Sequence, residues 1–404
     1  MVFEMDMNKR KVNKVFFCIL FLLGFFGLAI FYYPAMDYLY LVLLLIMAIS
    51  SFMSKKSYSK VIRWYVLFVF MSCVYSTIYN HQSFSSVVGH SYSYWGLLLF
   101  FVLMKNNLTS KETIKVMEML ALTFCICYII QWIVYPIILF PSVGYNVNSV
   151  KYRGRMAGSI CCYFMLLYSI NRYLLVKKWK YIVYAILGAI PIIILGFRTM
   201  IALSAMAAFL MIPFVVRSGR KTILYSILGG GVVLAALSTS LVQSKMDEMM
   251  ARQEKGNTLD NDNYVRFRSF DYYWNQQFTK PYEKVIGGGE PADVSSRYHK
   301  MIREAKDYKG FYWSDLGLVG LSMIIGIPAV LLLIYLYVRC MWKCKEPQIQ
   351  FIRFTLFVVL VGSLFLNAEL YRDGNILLFS LFLYFEYKYH QEQKRLQKNE
   401  TFTK

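Results

Sequence analysis

The side chains able to do acid–base chemistry in this 404-residue chain gather in one polar block, Gln243 to Ser314. His299 is its one histidine, and an imidazole titrating near neutrality is suited to act as a general base. The carboxylates Asp271, Glu290, Asp293 and Asp315 are rival bases, and nothing in their spacing ranks them. A second set is cationic. Arg266 and Arg268 stand near the start of a helix within the block. Lys151, Arg153 and Arg155 precede an apolar segment, and Arg198 sits in the hairpin Gly196-Phe197-Arg198-Thr199 between two others. An arginine so placed lies at a membrane boundary, where it is either a partner for an anion or a side chain snorkelling to the headgroups.

These groups need a scaffold, and the rest of the chain is apolar. Hydrophobic residues make up 58% and charged residues 17%, a balance that excludes an ordinary soluble protein of this size. The spacing predicts an all-α, polytopic membrane helix bundle of about twelve transmembrane helices, since each span needs roughly 20 apolar residues. The expected spans are 15–33, 36–53, 61–79, 86–104, 116–135, 156–176, 181–197, 199–216, 222–242, 315–338, 350–368 and 374–389. This gives three parts: a nine-span region over 1–242, a loop domain over 243–314, and a three-span region over 315–404 with a tail.

The net charge of +21 belongs to the short loops, because eleven acids and twelve bases nearly cancel within 243–314. Every even-numbered span is followed by lysine or arginine, from Lys55-Lys56 to Lys394-Arg395. Lys9, Arg10, Lys11 and Lys14 precede the first span without a small-residue cleavage site, as an uncleaved start-transfer helix would have them. By the positive-inside rule both termini are cytoplasmic and the polar block is extracytoplasmic. Dispersed cations of this kind serve topology and lipid headgroups, so nucleic acid is not an expected partner. The eight cysteines fall mostly inside apolar segments and imply neither a disulfide framework nor a metal site.

Within the block, Phe267, Phe270, Trp274 and Phe278 recur at helical spacing, as packing core or as an aromatic platform for sugars. Gly287-Gly288-Gly289 lacks the lysine and hydroxyl of a phosphate loop and reads as a mobile turn.

Four features in this order resemble the bacterial O-antigen polymerase (Wzy-type) and O-antigen ligase superfamily. They are Tyr152-Arg153-Gly154-Arg155-Met156-Ala157-Gly158 before a span, the Arg198-Thr199 hairpin, the outer block with Arg266-x-Arg268, Trp274, Pro281 and the glycine turn, and Asp315-Leu316-Gly317-Leu318-Val319-Gly320. The resemblance covers roughly residues 150–325. It implies a GT-C-like glycosyltransferase of the bacterial cytoplasmic (inner) membrane, with a polyprenyl-pyrophosphate-linked oligosaccharide as substrate. It also implies a flippase and a chain-length regulator as partners. Arg153, Arg155, Arg198, Arg266 and Arg268 match the family's basic motifs and would hold the pyrophosphate, with no cofactor or metal required. The ligase branch usually carries a His-Asn pair shortly before the helix that returns to the membrane. Ala305 to Ser314 holds neither residue, which favours a repeat-unit polymerase over a ligase. A lipid-linked oligosaccharide flippase is the alternative outside enzymes, but two comparable halves are not visible.

The charge pattern makes a topological prediction. A reporter active only outside the cytoplasm should work when fused near Asn257 and fail near Lys345; the opposite outcome overturns the orientation.

Overall fold

The computed structural model describes residues 34–54, 58–140, 158–216, 218–219, 225, 265–364 and 373–402. The spans expected at 15–33 and 222–242, the end of that at 350–368, and Arg153 and Arg155 lie outside the described residues. Those described are helical, with no strand among them. The helices are α1 (Pro34–Phe52), α2 (Ser59–Tyr79), α3 (Phe84–His90), α4 (Leu99–Asn106, preceded by the tight turn Tyr94–Leu98), α5 (Ser110–Val134), α6 (Ile160–Val176), α7 (Lys180–Leu195) and α8 (Arg198–Val216). The outer block gives α9 (Val265–Asp271), α10 (Pro281–Ile286) and α11 (Arg297–Lys309). Then follow α12 (Gly317–Ile325), α13 (Ile327–Lys343), α14 (Gln350–Gly362) and α15 (Asp373–Phe402).

Among the described residues three helices are long and apolar enough to cross a membrane: Ser59–Tyr79, Ser110–Val134 and Thr199–Val216. A fourth is reached if Phe84–His90 and Tyr94–Asn106, bent by 67°, form one span. The expectation of twelve full spans is therefore not met in this form. Two expected spans are broken, at Ser91–Ser93 and at Gly326, and others are shorter apolar helices such as Ile160–Val176 and Lys180–Leu195.

The centre of the bundle is α6, which packs on α5, α7, α8, α14 and α15. Its residues from Ile160 to Met165 are all buried, as is α15 from Asn375 to Glu386, so both helices are apolar on nearly every face. Outward-facing apolar residues lie on the peripheral helices: Ile46 and Ile49 on α1, Ile133 on α5 and Ile186 on α7 are more than half exposed. An apolar rim around an apolar core is how a helix bundle meets lipid rather than water.

Among the described residues, several of the loops that follow the expected even-numbered spans contact α14, α15 or the turn before α14. After α1, Tyr58 donates to Glu386 of α15. After α4, Asn107 Oδ1 accepts from Lys388 Nζ at 2.6 Å, and Leu108 O accepts from Tyr384 OH at 2.6 Å. At the end of α6, Asn171 Nδ2 donates to Pro347 O, between α13 and α14, at 2.8 Å. At the end of α8, Phe214 lies under the Arg353 guanidinium of α14 at 5.0 Å.

The seat of the outer block is built on a break. In a continuous helix Ile324 O would accept from the N–H of residue 328, but Pro328 has none. The chain therefore parts at Gly326 (φ +84°), and Gly287-Gly288-Gly289 enters the gap. Gly288 N donates to Met323 O at 2.7 Å and Gly289 N to Ile324 O at 2.9 Å, so the released carbonyls are satisfied. A Cβ on Gly326 would lie 2.2 Å from Val285 O, and one on Gly287 would lie 2.5 Å from Gly326 N. All three glycines are buried. The expectation of a mobile turn is corrected: a side chain on Gly287 would meet backbone, one on Gly288 would meet Tyr298 and Phe278, and one on Gly289 would meet Ser76.

This contact gives a stability prediction. Gly326→Ala combines left-handed backbone with a backbone clash and should cost several kcal/mol, the range of severe packing faults. Gly310→Ala shares the left-handed backbone (φ +67°), but nothing lies within 4 Å of its added methyl. It should cost about 1 kcal/mol. Heating detergent-solubilised protein and measuring the folded fraction would check the contrast; equal midpoints would contradict it.

Candidate functional site

The outer block folds around its own small core. Tyr272, Tyr273, Phe278, Tyr298, Ile302, Ala305 and Phe311 bury together with Met323 of α12, which seats the block on the membrane bundle. In α11 the buried positions Tyr298, Ile302 and Ala305 fall on one face, as an amphipathic helix requires. Ser296 caps that helix by accepting from His299 N at 3.1 Å, and Gly310 ends it in left-handed conformation.

The expected aromatic stripe is only half correct. Phe278 is buried and Trp274 is partly buried, but Phe267 is 57% and Phe270 38% exposed. The buried face runs instead through Ser269, Tyr272 and Tyr273, at ordinary helical spacing. A wide π turn at Tyr272–Gln277, closed by Phe278 N to Tyr273 O at 3.0 Å, then brings Phe278, five residues after Tyr273, onto that face.

The structure divides the candidate residues into two groups. One gathers at the start of α11 around Gln82, a residue the sequence did not single out. Gln82 is buried. Its Oε1 accepts from Ala292 N and Asp293 N at 2.9 and 3.0 Å. Its Nε2 donates to Ser76 Oγ at 2.6 Å and to Glu290 O at 3.0 Å. One amide thus fixes the strand of chain that carries Glu290 and Asp293. A glutamine just past an apolar helix gives no sequence cue to this, because its partners lie about 210 positions away.

The environments separate His299 from two of its four carboxylate rivals. Glu290 Oε2 accepts from Tyr94 OH at 2.8 Å. Asp293 accepts from Ser295 Oγ at 2.6 Å and from Ser83 N at 2.9 Å, and the serine hydroxyl first, then these N–H groups, hold its carboxyl below the usual range. Asp271 is held low in the same way by Asn275 and Gln276, whose amides reach it at 2.8 Å each. A carboxylate stabilised in its ionised form is a poor proton acceptor. His299 differs. Its Nδ1 lies 2.7 Å from Pro291 O, and only a protonated Nδ1 can bond a carbonyl. The neutral ring therefore presents Nε2 as an unprotonated acceptor on a half-buried side chain.

The second group lies at the other end of α11. Phe267, Arg268, Asp271, Tyr272, Gln276, Lys309 and Phe311 line an open cleft of about 560 Å³. The Arg268 guanidinium lies 5.5 Å from the Phe311 ring centre, and Lys309 Nζ lies 4.3 Å from that of Tyr272. Arg268 and Asp271 thus share a site, but His299 does not join them: ten helical positions, about 15 Å, separate it from Lys309. Arg266 is half-buried beside the cleft-lining Phe267. Arg198 opens α8, and its side chain lies outside the described residues. Asp315 falls in the short turn Trp313–Leu316 that leads into α12.

No protein-family model matches the chain, and no curated protein matches it.

The ranking predicts kinetics. His299→Ala should slow turnover roughly 100-fold or more, the usual scale of general base catalysis. Asp293→Asn and Asp271→Asn should each stay within a few-fold of wild type. Turnover rates of the purified variants would check this, and a carboxylate variant slower than His299→Ala would reverse the ranking.

Proposed function

We propose that this protein is a repeat-unit polymerase of a surface polysaccharide. It would join polyprenyl-pyrophosphate-linked oligosaccharides on the outer face of a bacterial cytoplasmic membrane. The wider architecture in this reading is the GT-C-like bundle of about twelve spans with both termini in the cytoplasm. The observation that carries it is the polar block itself, in which α11 carries a histidine with an acceptor ring nitrogen near its start and ends, at Lys309, in a cation-lined aromatic cleft built mainly from α9 and the turn after it. That pairing suits a glycan whose hydroxyl is activated at one point and whose chain is held at another.

The chemistry follows from the groups. A hydroxyl at the non-reducing end of a new lipid-linked unit attacks the anomeric carbon of the growing chain. The bond from that carbon to the pyrophosphate oxygen breaks, and its electron pair leaves with the polyprenyl pyrophosphate. The hydroxyl proton passes to His299 Nε2. Negative charge grows on the leaving group, and the guanidinium groups of Arg153, Arg155 and Arg198 stabilise it through paired, charge-assisted bonds. The activation already resides in the pyrophosphate ester, so no nucleotide or ion gradient is consumed.

The test uses purified protein, a polyprenyl-pyrophosphate repeat unit, a chelator and no nucleotide. Extension should proceed. Arg198→Ala should abolish it while the protein still inserts, and Arg198→Lys should restore only part, since lysine keeps the charge and loses the two-pronged geometry. Dependence on a restored divalent ion would move the work from arginine to metal. Dependence on a proton gradient would favour a transporter.

A further inference from the structure

The cleft at the far end of α11 holds more than a generic anion site requires. Arg268 and Lys309 both line it, each over the face of an aromatic ring. Among the described residues neither has a carboxylate within ion-pair distance. The one acid in the cleft, Asp271, is held by Asn275 and Gln276 instead. Two cations against one acid leave the cleft net positive. Its remaining surface is unlike a phosphate cradle. Phe267 presents an exposed ring, and Gln276 adds an amide. The slightly positive C–H face of a sugar ring packs against an aromatic face, whereas a small inorganic anion gains nothing from one. Asp271, although hydrogen-bonded, retains lone pairs for sugar hydroxyls.

We propose that the Arg268–Lys309 cleft binds an acidic sugar, so that the glycan handled by this protein carries a carboxylate-bearing residue. The inference rests on the polymerase reading and deepens it. It assigns Arg268 to the glycan and leaves the pyrophosphate to Arg153, Arg155 and Arg198. The exposed ring of Phe267 flanks the sugar, Arg268 and Lys309 pair with its carboxylate, and Gln276 and Asp271 take its hydroxyls. The placement about 15 Å along α11 from His299 separates holding from reaction.

The experiment measures binding, not turnover. The full chain in phosphatidylcholine nanodiscs is titrated with a glucuronate-containing oligosaccharide, with its carboxyl-reduced neutral counterpart, and with inorganic pyrophosphate. The acidic oligosaccharide should bind at least roughly 10-fold tighter than the reduced one, the scale of losing charge-assisted bonds. The double variant R268Q/K309Q should lose that preference. Both side chains are exposed, and an unchanged size-exclusion profile would confirm that the fold survives. Equal binding of the two oligosaccharides overturns the proposal, as does an undiminished preference in the double variant. Pyrophosphate that binds tightly and displaces the oligosaccharide overturns it too, making the cleft a headgroup site. Absent preference in a protein that still extends glycans sinks this inference alone. Selective binding without extension sinks the polymerase reading alone.

Discussion

The structure depends on one backbone contact, the seating of Gly287–Gly289 in the break before α13. Pro328 deprives Ile324 O of its helical donor, and an unpaired carbonyl in an apolar setting costs several kcal/mol. The amides of Gly288 and Gly289 supply what is missing, at 2.7 and 2.9 Å. That contact also fixes the outer domain. Asn80 donates to Gly288 O at 2.8 Å, Tyr298 packs beside Gly288, and the chain beyond runs directly to Glu290, Pro291 and Asp293. The carbonyl that sets the His299 tautomer is Pro291 O, two residues past the clamp. A helix defect in the bundle thus positions a ring nitrogen in the water-side domain.

The opposite pole is held by charge. Glu386 is fully buried and accepts from Tyr58, while Lys343 Nζ lies 3.6 Å and His390 Nε2 3.4 Å from its Oε1 without an aligned hydrogen bond. Its neighbours on α15 tie down the loops after α1, α4 and α13. A buried carboxylate of this kind is weak evidence for stability, because desolvation opposes the attraction. It does specify which loops meet, and those are the loops rich in lysine and arginine.

The sequence made the all-helical character legible, since apolar runs of this length have few alternatives. It located a helix carrying Arg266 and Arg268, seen as Val265–Asp271, and the return into the bundle near Asp315. What it could not show were features depending on partners far along the chain. Three glycines look like a flexible turn until Gly326 and Ser76 are placed against them. Phe267 and Phe270 look like core until the buried face is seen to run through Ser269, Tyr272 and Tyr273. The break at Gly326 was latent in Gly-Ile-Pro, but the mean apolarity of 315–338 masked it. At the site, residue types nominated His299, Asp271, Glu290 and Asp293 equally. Only their hydrogen bonds separate an imidazole with an open nitrogen from carboxylates already engaged.

The central claim is that a lipid-linked glycan meets this protein at the pole carrying α9 to α11. A polyprenyl pyrophosphate glycan bearing a photoactivatable group on its sugar tests this directly, by crosslinking in vesicles and mapping of the labelled peptides. The account predicts label within 265–277 and 297–312, reduced by unlabelled lipid-linked glycan. Label confined to the basic pole, around 107–112, 343–350 and 386–398, would contradict it.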